Sequence, residues 1–202
     1  MNKLNGTAAL ILAAGISKRM GLTKQLLHLG EMPLLERVIR QVVLFPFCEI
    51  VCVVGHHAKQ IRTDISIFDE RFRWSVNTNY EKGQGSSLKK GMGTIHSDHV
   101  MVFLGDQPFI ANDTIRSIIE EGERRGRERR RPFVVRPAFQ SVPGHPVFFG
   151  NVTQIDFSTL SGDQGAKHLI RRIDDYEVIP VDDDGVILDI DTPKCYEEAK
   201  RK

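Results

Sequence analysis

An all-apolar run near the start of the chain, closed by a glycine, restricts the fold more than any other feature. Residues 8–13 carry only apolar side chains, and Gly15 follows almost directly. A short run of this kind is typical of a strand buried on both faces of a parallel sheet. Parallel strands need crossover connections, which are usually helices, so the sequence predicts an α/β fold.

Strand and helix patterns alternate along the chain as far as residue 125 and break into shorter pieces beyond Pro132. Pro33 is expected at the first helical position of one helix, and Asn112 is expected to cap another. With 202 residues and no linker-like stretch, we expect a single domain with a doubly wound, mostly parallel sheet and helices on both faces. The predicted strands cover residues 8–13, 49–54, 74–77, 100–104, 133–135, 147–149 and 176–179, and the predicted helices cover residues 33–44, 58–67, 86–95, 112–125, 165–172 and a last stretch from 193.

Composition indicates an ordinary globular protein of the cytoplasm. Apolar residues make up 41% and charged residues 27%, and the formal net charge of +2 gives no reason to expect nucleic acid or a membrane as partner. Cys48, Cys52 and Cys195 are an odd number, and the first two are predicted to be small core residues of a reduced protein. The apolar run 7–14 is too short for a membrane span or a standard signal peptide.

Two charged or polar stretches are not assigned to a binding site. The run 123–131 is rich in arginine, but acidic residues interrupt it and aromatic residues are absent, so a solvated loop is favoured over a phosphate or nucleic-acid site. His56 and His57 follow a predicted strand, and no further histidine or cysteine has ligand spacing. They are therefore assigned to a polar loop rather than to a metal.

The loop 14–24, after the first strand, has the composition of a site for a polyanion. Its small residues allow a ligand to approach the backbone, where free N–H groups can donate to phosphate oxygens. Arg19 adds a planar guanidinium with several donors, and Lys24 adds a mobile ammonium charge. Together they suit a triphosphate. The spacing is neither that of a P-loop nor that of the dinucleotide fingerprint.

A second loop, 105–108, places an acid directly after a predicted strand. Taken by itself, Asp106 is equally well explained as a turn residue and as a magnesium ligand. The carboxyl ends of parallel strands meet at one edge of a sheet, so this loop is expected beside the first one. That neighbourhood favours the magnesium ligand.

The motifs in these loops resemble those of a known family. Residues 12–24 read L-A-A-G-x-S-x-R-M-G-x-x-K, which resembles the signature of nucleotidyltransferases that activate sugars and the molybdenum cofactor. Five further segments, in the same order, resemble those of the molybdopterin nucleotidyltransferases, and the likeness is greatest to the cytidylyltransferase branch and to related proteins that support xanthine dehydrogenase maturation in purine catabolism. Ala14, where guanylyltransferases usually carry glycine, favours cytidine. The five segments are 79–88, 105–108, 144–149, 160–166 and 189–193.

The resemblance implies a Rossmann-like nucleotidyltransferase fold, with residues 1–131 as the nucleotide-binding part and 132–202 as the acceptor-binding and closing part. It implies CTP and a molybdopterin-type acceptor as substrates, Mg²⁺ as cofactor, and a molybdenum hydroxylase such as xanthine dehydrogenase as partner. The implied residues are Lys24, Arg19 and Asp106 for catalysis; Leu12, Ala13, Ala14, Gly15, Arg19, Lys24, Asn79, Gly85 and Ser86 for the nucleotide; Ser87, Gln107, Pro108 and His145 for the acceptor; and Asp106 and Asp191 for the metal.

Several assignments stay open at this point. His145 either borders the acceptor or is a satisfied, half-buried histidine, and Asp163 is expected to order its own loop. Tyr80 and Pro143 depart from the family pattern, standing where a proline and a basic residue are usual. The expected reaction is nucleotidyl transfer to molybdopterin. The alternatives are transfer to a sugar or polyol phosphate, and a chaperone that binds nucleotide or cofactor without turnover.

Overall fold

The computed structural model describes residues 4–17, 19–160, 162 and 166–201 of the chain. The predicted alternation of strands and helices is confirmed over the first two-thirds of the chain. The strands are β1 (Leu4–Ala13), β2 (His28–Leu29), β3 (Met32–Pro33), β4 (Glu49–Val54), β5 (Phe72–Val76), β6 (Ser97–Leu104), β7 (Phe133–Phe139), β8 (Val142–Pro143), β9 (Val147–Gly150) and β10 (Asp175–Pro180). The α-helices are α1 (Leu34–Val43), α2 (Ala58–Asp64), α3 (Gln84–Met92), α4 (Asn112–Glu128), α5 (Lys167–Ile170) and α6 (Pro193–Ala199).

The central sheet is mostly parallel, as predicted. Its strand order is β10-β7-β9-β6-β1-β4-β5, and β8 pairs with β7 at the side of this path. Strands β6, β1, β4 and β5 are parallel neighbours, whereas β9 lies antiparallel between β6 and β7. The carboxyl ends of β1 and β6 therefore lie side by side, and both glycine-containing loops leave the sheet at this edge.

Alternate residues of β1 pack against helices on the two faces of the sheet. Ala9 and Ile11 belong to a cluster with α1 and α4, whereas Ala8 and Leu10 pack with Leu88 of α3. All four of these β1 residues are fully buried, and every residue of β4 is buried, including Cys52. Burial on both faces explains why these strands are continuous apolar runs rather than alternating patterns.

Several element boundaries differ from the predictions. Pro33 lies just before α1, and Ala111 rather than Asn112 occupies the cap position of α4. Asn112 instead uses its side-chain oxygen to accept a hydrogen bond from Gln41 Nε2 at 2.9 Å. Helix α5 covers only Lys167–Ile170 of the predicted helix 165–172, and residue 165 lies outside the described residues.

The prediction of a solvated loop for 123–131 is wrong for its first two-thirds. Helix α4 continues to Glu128, and Arg125 within it is only 9% exposed. Its guanidinium donates to Glu121 on the same helix and to Asp175 and Glu177 on β10. A buried arginine needs such carboxylate partners, and here they attach α4 to the edge strand of the sheet. No helix in the described part of the chain is both long and apolar enough to cross a membrane.

Glu49, at the start of β4, gives a pH-dependent contribution to stability. Its side chain is 2% exposed and accepts hydrogen bonds from the backbone N–H groups of His96 at 2.6 Å and Ser97 at 3.0 Å, and from Arg73. Burial by itself raises the pKa of Glu49, but these hydrogen bonds outweigh burial and hold the pKa below its ordinary value of 4.5. The carboxylate therefore stabilises the fold above pH 4.5, and this stabilisation is lost as the pH falls through the folded-state pKa.

Replacing this carboxylate by an amide of the same shape is expected to destabilise the protein. Glu49→Gln should lower the free energy of unfolding at pH 7 by about 2 kcal/mol, because charge-assisted hydrogen bonds are lost at a buried position. The loss should shrink as the pH falls below 4.5. Urea unfolding of both proteins at pH 7 and pH 4 measures this. An equal difference at both pH values would show that the charge of Glu49 is not responsible.

Candidate active site

A cleft of about 420 Å³ opens at the carboxyl edge of the sheet. The loop after β1, the end of β6 and the segment leading into α3 line it. Its principal lining residues are Leu12, Ala13, Ala14, Gly15, Ile16, Ser17, Arg19, Lys24, Gln25, Tyr80, Glu81, Gly83, Gln84, Ser87, Leu104, Gly105, Asp106 and Asp191. The structure thus brings together both predicted loops and the acid near the end of the chain.

Lys24 lies at the centre of the charged groups in the cleft. Its Nζ donates to Asp106 Oδ2 at 2.5 Å and to Asp191 Oδ1 at 2.6 Å, while Arg19 Nη2 lies 2.5 Å from Asp191 Oδ2. Burial lowers the pKa of Lys24, but the two carboxylates outweigh burial and raise it, so the ammonium stays charged. Burial by itself raises the pKa of Asp191, but its hydrogen bonds to Lys24 and Arg19 outweigh burial. The net effect is a pKa below the ordinary value of 3.8. The cleft therefore holds fixed charges of both signs.

Backbone hydrogen bonds position the two acids. Gly105 N–H donates to Leu12 O at 2.9 Å, which joins the end of β6 to the end of β1. Ile190 N–H donates to Asp106 O at 3.0 Å, which brings the 189–193 segment against the second loop. A β-carbon at Gly105 would lie 2.8 Å from Ala13 Cβ and 2.9 Å from Leu35 Cδ1, so this close approach of the strand ends requires glycine.

The path of the first loop is fixed by Gln25, a residue that the sequence reasoning did not assign to the site. Its side chain is 3% exposed, and its Nε2 donates to the carbonyl oxygens of Ala13 at 2.9 Å and Gly15 at 3.1 Å. These bonds hold the backbone on both sides of Ala14. Its Oε1 also accepts a hydrogen bond from Ser17 Oγ at 3.4 Å. Nothing in the sequence distinguishes Gln25 from an exposed polar residue, because its role depends on contacts that exist only in the folded loop.

Tyr80 also lines the cleft, and it was not among the residues that the sequence assigned to the site. A β-carbon at Gly55 would lie 2.5 Å from Tyr80 Cβ and 2.9 Å from Ala14 O, so only glycine leaves room for the ring beside the loop. The Tyr80 hydroxyl lies 3.4 Å from His56 Nδ1, and the two ring centroids are 5.7 Å apart. His57 is exposed in a left-handed conformation with φ of 55°, so both histidines occupy the polar loop that was predicted.

The residues predicted to bind the nucleotide lie partly in the cleft and partly outside it. Leu12, Ala13, Ala14, Gly15, Arg19 and Lys24 line the cleft. Asn79 and Ser86 instead line a separate pocket on the other side of α3, and Gly85 is buried in the first turn of that helix. Ser87, predicted for the acceptor, lines the cleft next to Gln84.

The other residues predicted for the acceptor lie behind the second loop. Gln107 is 2% exposed and donates from Nε2 to Asp189 Oδ1 at 2.7 Å and to Val186 O at 3.3 Å, and Pro108 is also buried. The His145 N–H donates to Val186 O at 2.8 Å, so Val186 connects His145 with Gln107. Burial, with the charges of Arg136 and Lys167, lowers the pKa of the His145 imidazole to about 3, so it is neutral at pH 7. Asp163 lies outside the described residues.

Asp106 and Asp191 fit a magnesium site that is completed by phosphate oxygens. In the part of the chain that the structure describes, no three histidine, cysteine or acidic residues are grouped to hold a metal ion. Mg²⁺ in nucleotide sites is commonly bound by one or two carboxylates together with substrate phosphates, and two carboxylates that reach one ammonium meet this requirement. Burial and the nearby charges of Asp106 and Asp191 raise the pKa of Asp189 to about 6. The concentration of negative charge at this point favours a cation.

Comparison with known proteins identifies the family to which the chain is similar. The profile of the MobA-like NTP transferase domain matches residues 9–177. The molybdenum cofactor cytidylyltransferase of Escherichia coli (strain K12) is 26% identical over 211 residues, which cover 96% of this chain and 95% of that protein. Purine catabolism protein PucB of Bacillus subtilis (strain 168) is 28% identical over 136 residues, which cover 64% of this chain and 62% of PucB.

Solved structures share the fold over the full length of the chain. Rv0371c from Mycobacterium tuberculosis H37Rv superposes with a TM-score of 0.80 at 23% identity, covering 100% of both chains. Molybdopterin-guanine dinucleotide biosynthesis protein A from Archaeoglobus fulgidus gives 0.71 at 17% identity, covering 96% of this chain and 97% of that one. The predicted α/β nucleotidyltransferase fold is therefore confirmed.

Proposed function

This chain belongs to the MobA-like NTP transferase family, and we propose that it transfers CMP from CTP to the phosphate of molybdopterin or its molybdenum-loaded form, with release of pyrophosphate. One observation carries the proposal. The Lys24 ammonium is held by Asp106 and Asp191 in the cleft that the glycine-containing loop forms. A cation of this kind, fixed beside two potential magnesium ligands, is what a triphosphate requires.

In the proposed reaction, an oxygen of the acceptor phosphate attacks the α-phosphorus of the nucleotide. A new phosphorus–oxygen bond forms, the bond from the α-phosphorus to the β-bridging oxygen breaks, and pyrophosphate leaves. Lys24 and Arg19 bind the triphosphate and stabilise the charge that develops on the leaving pyrophosphate. Asp106 and Asp191 would hold Mg²⁺, which when bound neutralises phosphate charge. The chain thus acts by positioning and charge neutralisation, without a covalent intermediate.

The identity of the substrates rests on the relatives and on two residues of the cleft. The relative in E. coli, which aligns over nearly the whole chain, is a molybdenum cofactor cytidylyltransferase. Ala14 and Tyr80 both line the cleft, and we propose that they restrict the base. The similarity to PucB supports a further proposal, that the product serves a molybdenum hydroxylase such as xanthine dehydrogenase in the cytoplasm.

Release of pyrophosphate tests the proposed substrates directly. The purified protein with Mg²⁺ is given CTP or GTP, together with molybdopterin or with a panel of sugar and polyol phosphates. We expect release with CTP and molybdopterin and its loss when Mg²⁺ is removed by a chelator. Release only with sugar or polyol phosphates would instead identify a sugar- or polyol-activating enzyme, and tight binding without release would identify a chaperone.

The choice of base is expected to depend on Tyr80. Tyr80→Ala should lower the preference for CTP over GTP, measured as the ratio of the two kcat/KM values, by about 10-fold. The physical reason is that the ring beside Ala14 narrows the space that a purine would need. Tyr80→Phe keeps the ring and removes only the hydroxyl near His56, so it should keep the preference. Equal behaviour of the two variants would show that the ring does not select the base.

A further inference from the structure

A pocket of about 430 Å³ lies on the side of α3 that faces away from the catalytic cleft. We call it the lysine pocket, because Lys82, Lys89 and Lys90 line it together with the polar residues Asn79 and Ser86 and the apolar Leu160. The catalytic residues described above are not part of its lining. Its position next to the cleft, with one helix between them, raises the question of what it binds.

The charge of the lysine pocket has a single sign. None of its described lining residues is acidic, and neither Lys82 nor Lys90 forms an ion pair within the described residues. Lys89 donates from Nζ to Ser158 O at 3.0 Å, which holds its side chain over the pocket. Lys89 and Lys90 also lie in the last turn of α3, where the helix dipole stabilises positive charge. Within the described residues, the three ammonium groups therefore have unused donors.

Hydrogen bonds hold the polar side of the lysine pocket in place. The buried Asn77 side chain donates to Ser86 Oγ at 2.9 Å and to Ser87 Oγ at 3.1 Å. The single Ser86 hydroxyl hydrogen has two carbonyl oxygens within reach, those of Asn79 at 2.9 Å and Gly83 at 2.8 Å from Oγ. The first turn of α3 is thus fixed from both sides, with Ser86 in the lysine pocket and Ser87 in the cleft.

We propose that the lysine pocket is a second anion site, separate from the catalytic cleft, that binds a di- or triphosphate group. Three lysine ammonium groups in one concave surface suit a phosphate chain better than a single carboxylate, because each phosphate unit offers several charged acceptor oxygens. Inorganic pyrophosphate and a nucleoside triphosphate share this chemistry. The site does not depend on the proposed function, since it uses none of the residues assigned to catalysis.

Calorimetric titration with tripolyphosphate, in the presence of a chelator, tests the site. The wild-type protein should bind two equivalents, one in each pocket. Lys82→Gln/Lys90→Gln should weaken one of them at least about 10-fold, while Lys24→Gln should weaken only the other. Lys59→Gln/Arg62→Gln is the matched control, because it removes two exposed charges from α2, outside both pockets, and should keep both equivalents.

Two outcomes would overturn the lysine pocket as a site. One is a wild-type protein that binds a single equivalent, lost in Lys24→Gln. The other is unchanged binding in Lys82→Gln/Lys90→Gln. If that variant melts at a lower temperature than the wild type, Lys82→Arg/Lys90→Arg is titrated as well. It retains both positive charges and should bind both equivalents. Repeating the titration on Lys24→Gln with pyrophosphate and with CTP shows whether the lysine pocket binds free pyrophosphate or a nucleoside triphosphate. If neither probe binds, the lysine pocket is not an anion site.

Discussion

Asp106→Asn is expected to lower the rate of pyrophosphate release by about 1,000-fold while the protein remains folded. The carboxylate lies 2.5 Å from the Lys24 ammonium and is a proposed ligand of Mg²⁺, so the change removes a metal ligand and weakens the position of Lys24. The backbone carbonyl of residue 106, which accepts from Ile190, is retained, so the contact between the second loop and the 189–193 segment is preserved. A catalytic loss without a structural one is therefore expected.

Steady-state assays at saturating CTP and a range of Mg²⁺ concentrations measure this loss, with thermal melting as a test of folding. Asp64→Asn is the matched control, because Asp64 is an exposed acid at the end of α2 and outside the cleft. It should have wild-type activity. A folded Asp106→Asn protein with near-normal, magnesium-dependent turnover would show that Asp106 is not the metal ligand.

Lys24→Gln is expected to change turnover and metal binding in opposite directions. Turnover should fall by about 100-fold, because the charge that binds the triphosphate is lost. In the absence of nucleotide, however, Mn²⁺ should bind more tightly than to the wild type. The ammonium now bonds to one oxygen of each carboxylate, at 2.5 and 2.6 Å, and its positive charge opposes a second cation.

Manganese titrations followed by paramagnetic relaxation of water, together with turnover assays, measure both effects. Arg19→Gln is the comparison, since the Arg19 side chain is 70% exposed and contacts only Asp191 among the two acids. It should lower turnover less than Lys24→Gln does. If Mn²⁺ binding weakened in Lys24→Gln, the lysine would be needed to organise the acids rather than competing with the metal for them.

The parts of the fold and site that the sequence predicted are those governed by local pattern. Burial of β1 and β4 on both faces produces continuous apolar runs, and the two strands were correctly located. The loop after β1 and Asp106 after β6 were brought together by reasoning on parallel strands, and the structure places both in one cleft. Local sequence was sufficient here because each feature directly follows its own strand.

The parts that could not be predicted depend on contacts between distant residues. Asp191 lies 167 residues from Lys24 along the chain, and only the resemblance to a family identified it. Gln25 acts by donating to backbone carbonyl oxygens, and Tyr80 occupies the space that a side chain at Gly55 would fill. Neither contact leaves a pattern in the sequence. The end of α4 was misjudged because two of the three partners of Arg125, Asp175 and Glu177, are on β10, some 50 residues away.

An isotope label on the α-phosphate of CTP shows whether this protein transfers CMP to molybdopterin. CTP labelled with ³²P at the α-phosphate is incubated with the protein, Mg²⁺ and molybdopterin, and a parallel reaction uses the γ-labelled nucleotide. We expect the α-label in a cytosine dinucleotide product and the γ-label in pyrophosphate. The proposed function would be contradicted if the α-label stayed in CTP when molybdopterin was the acceptor and was transferred only to a sugar or polyol phosphate.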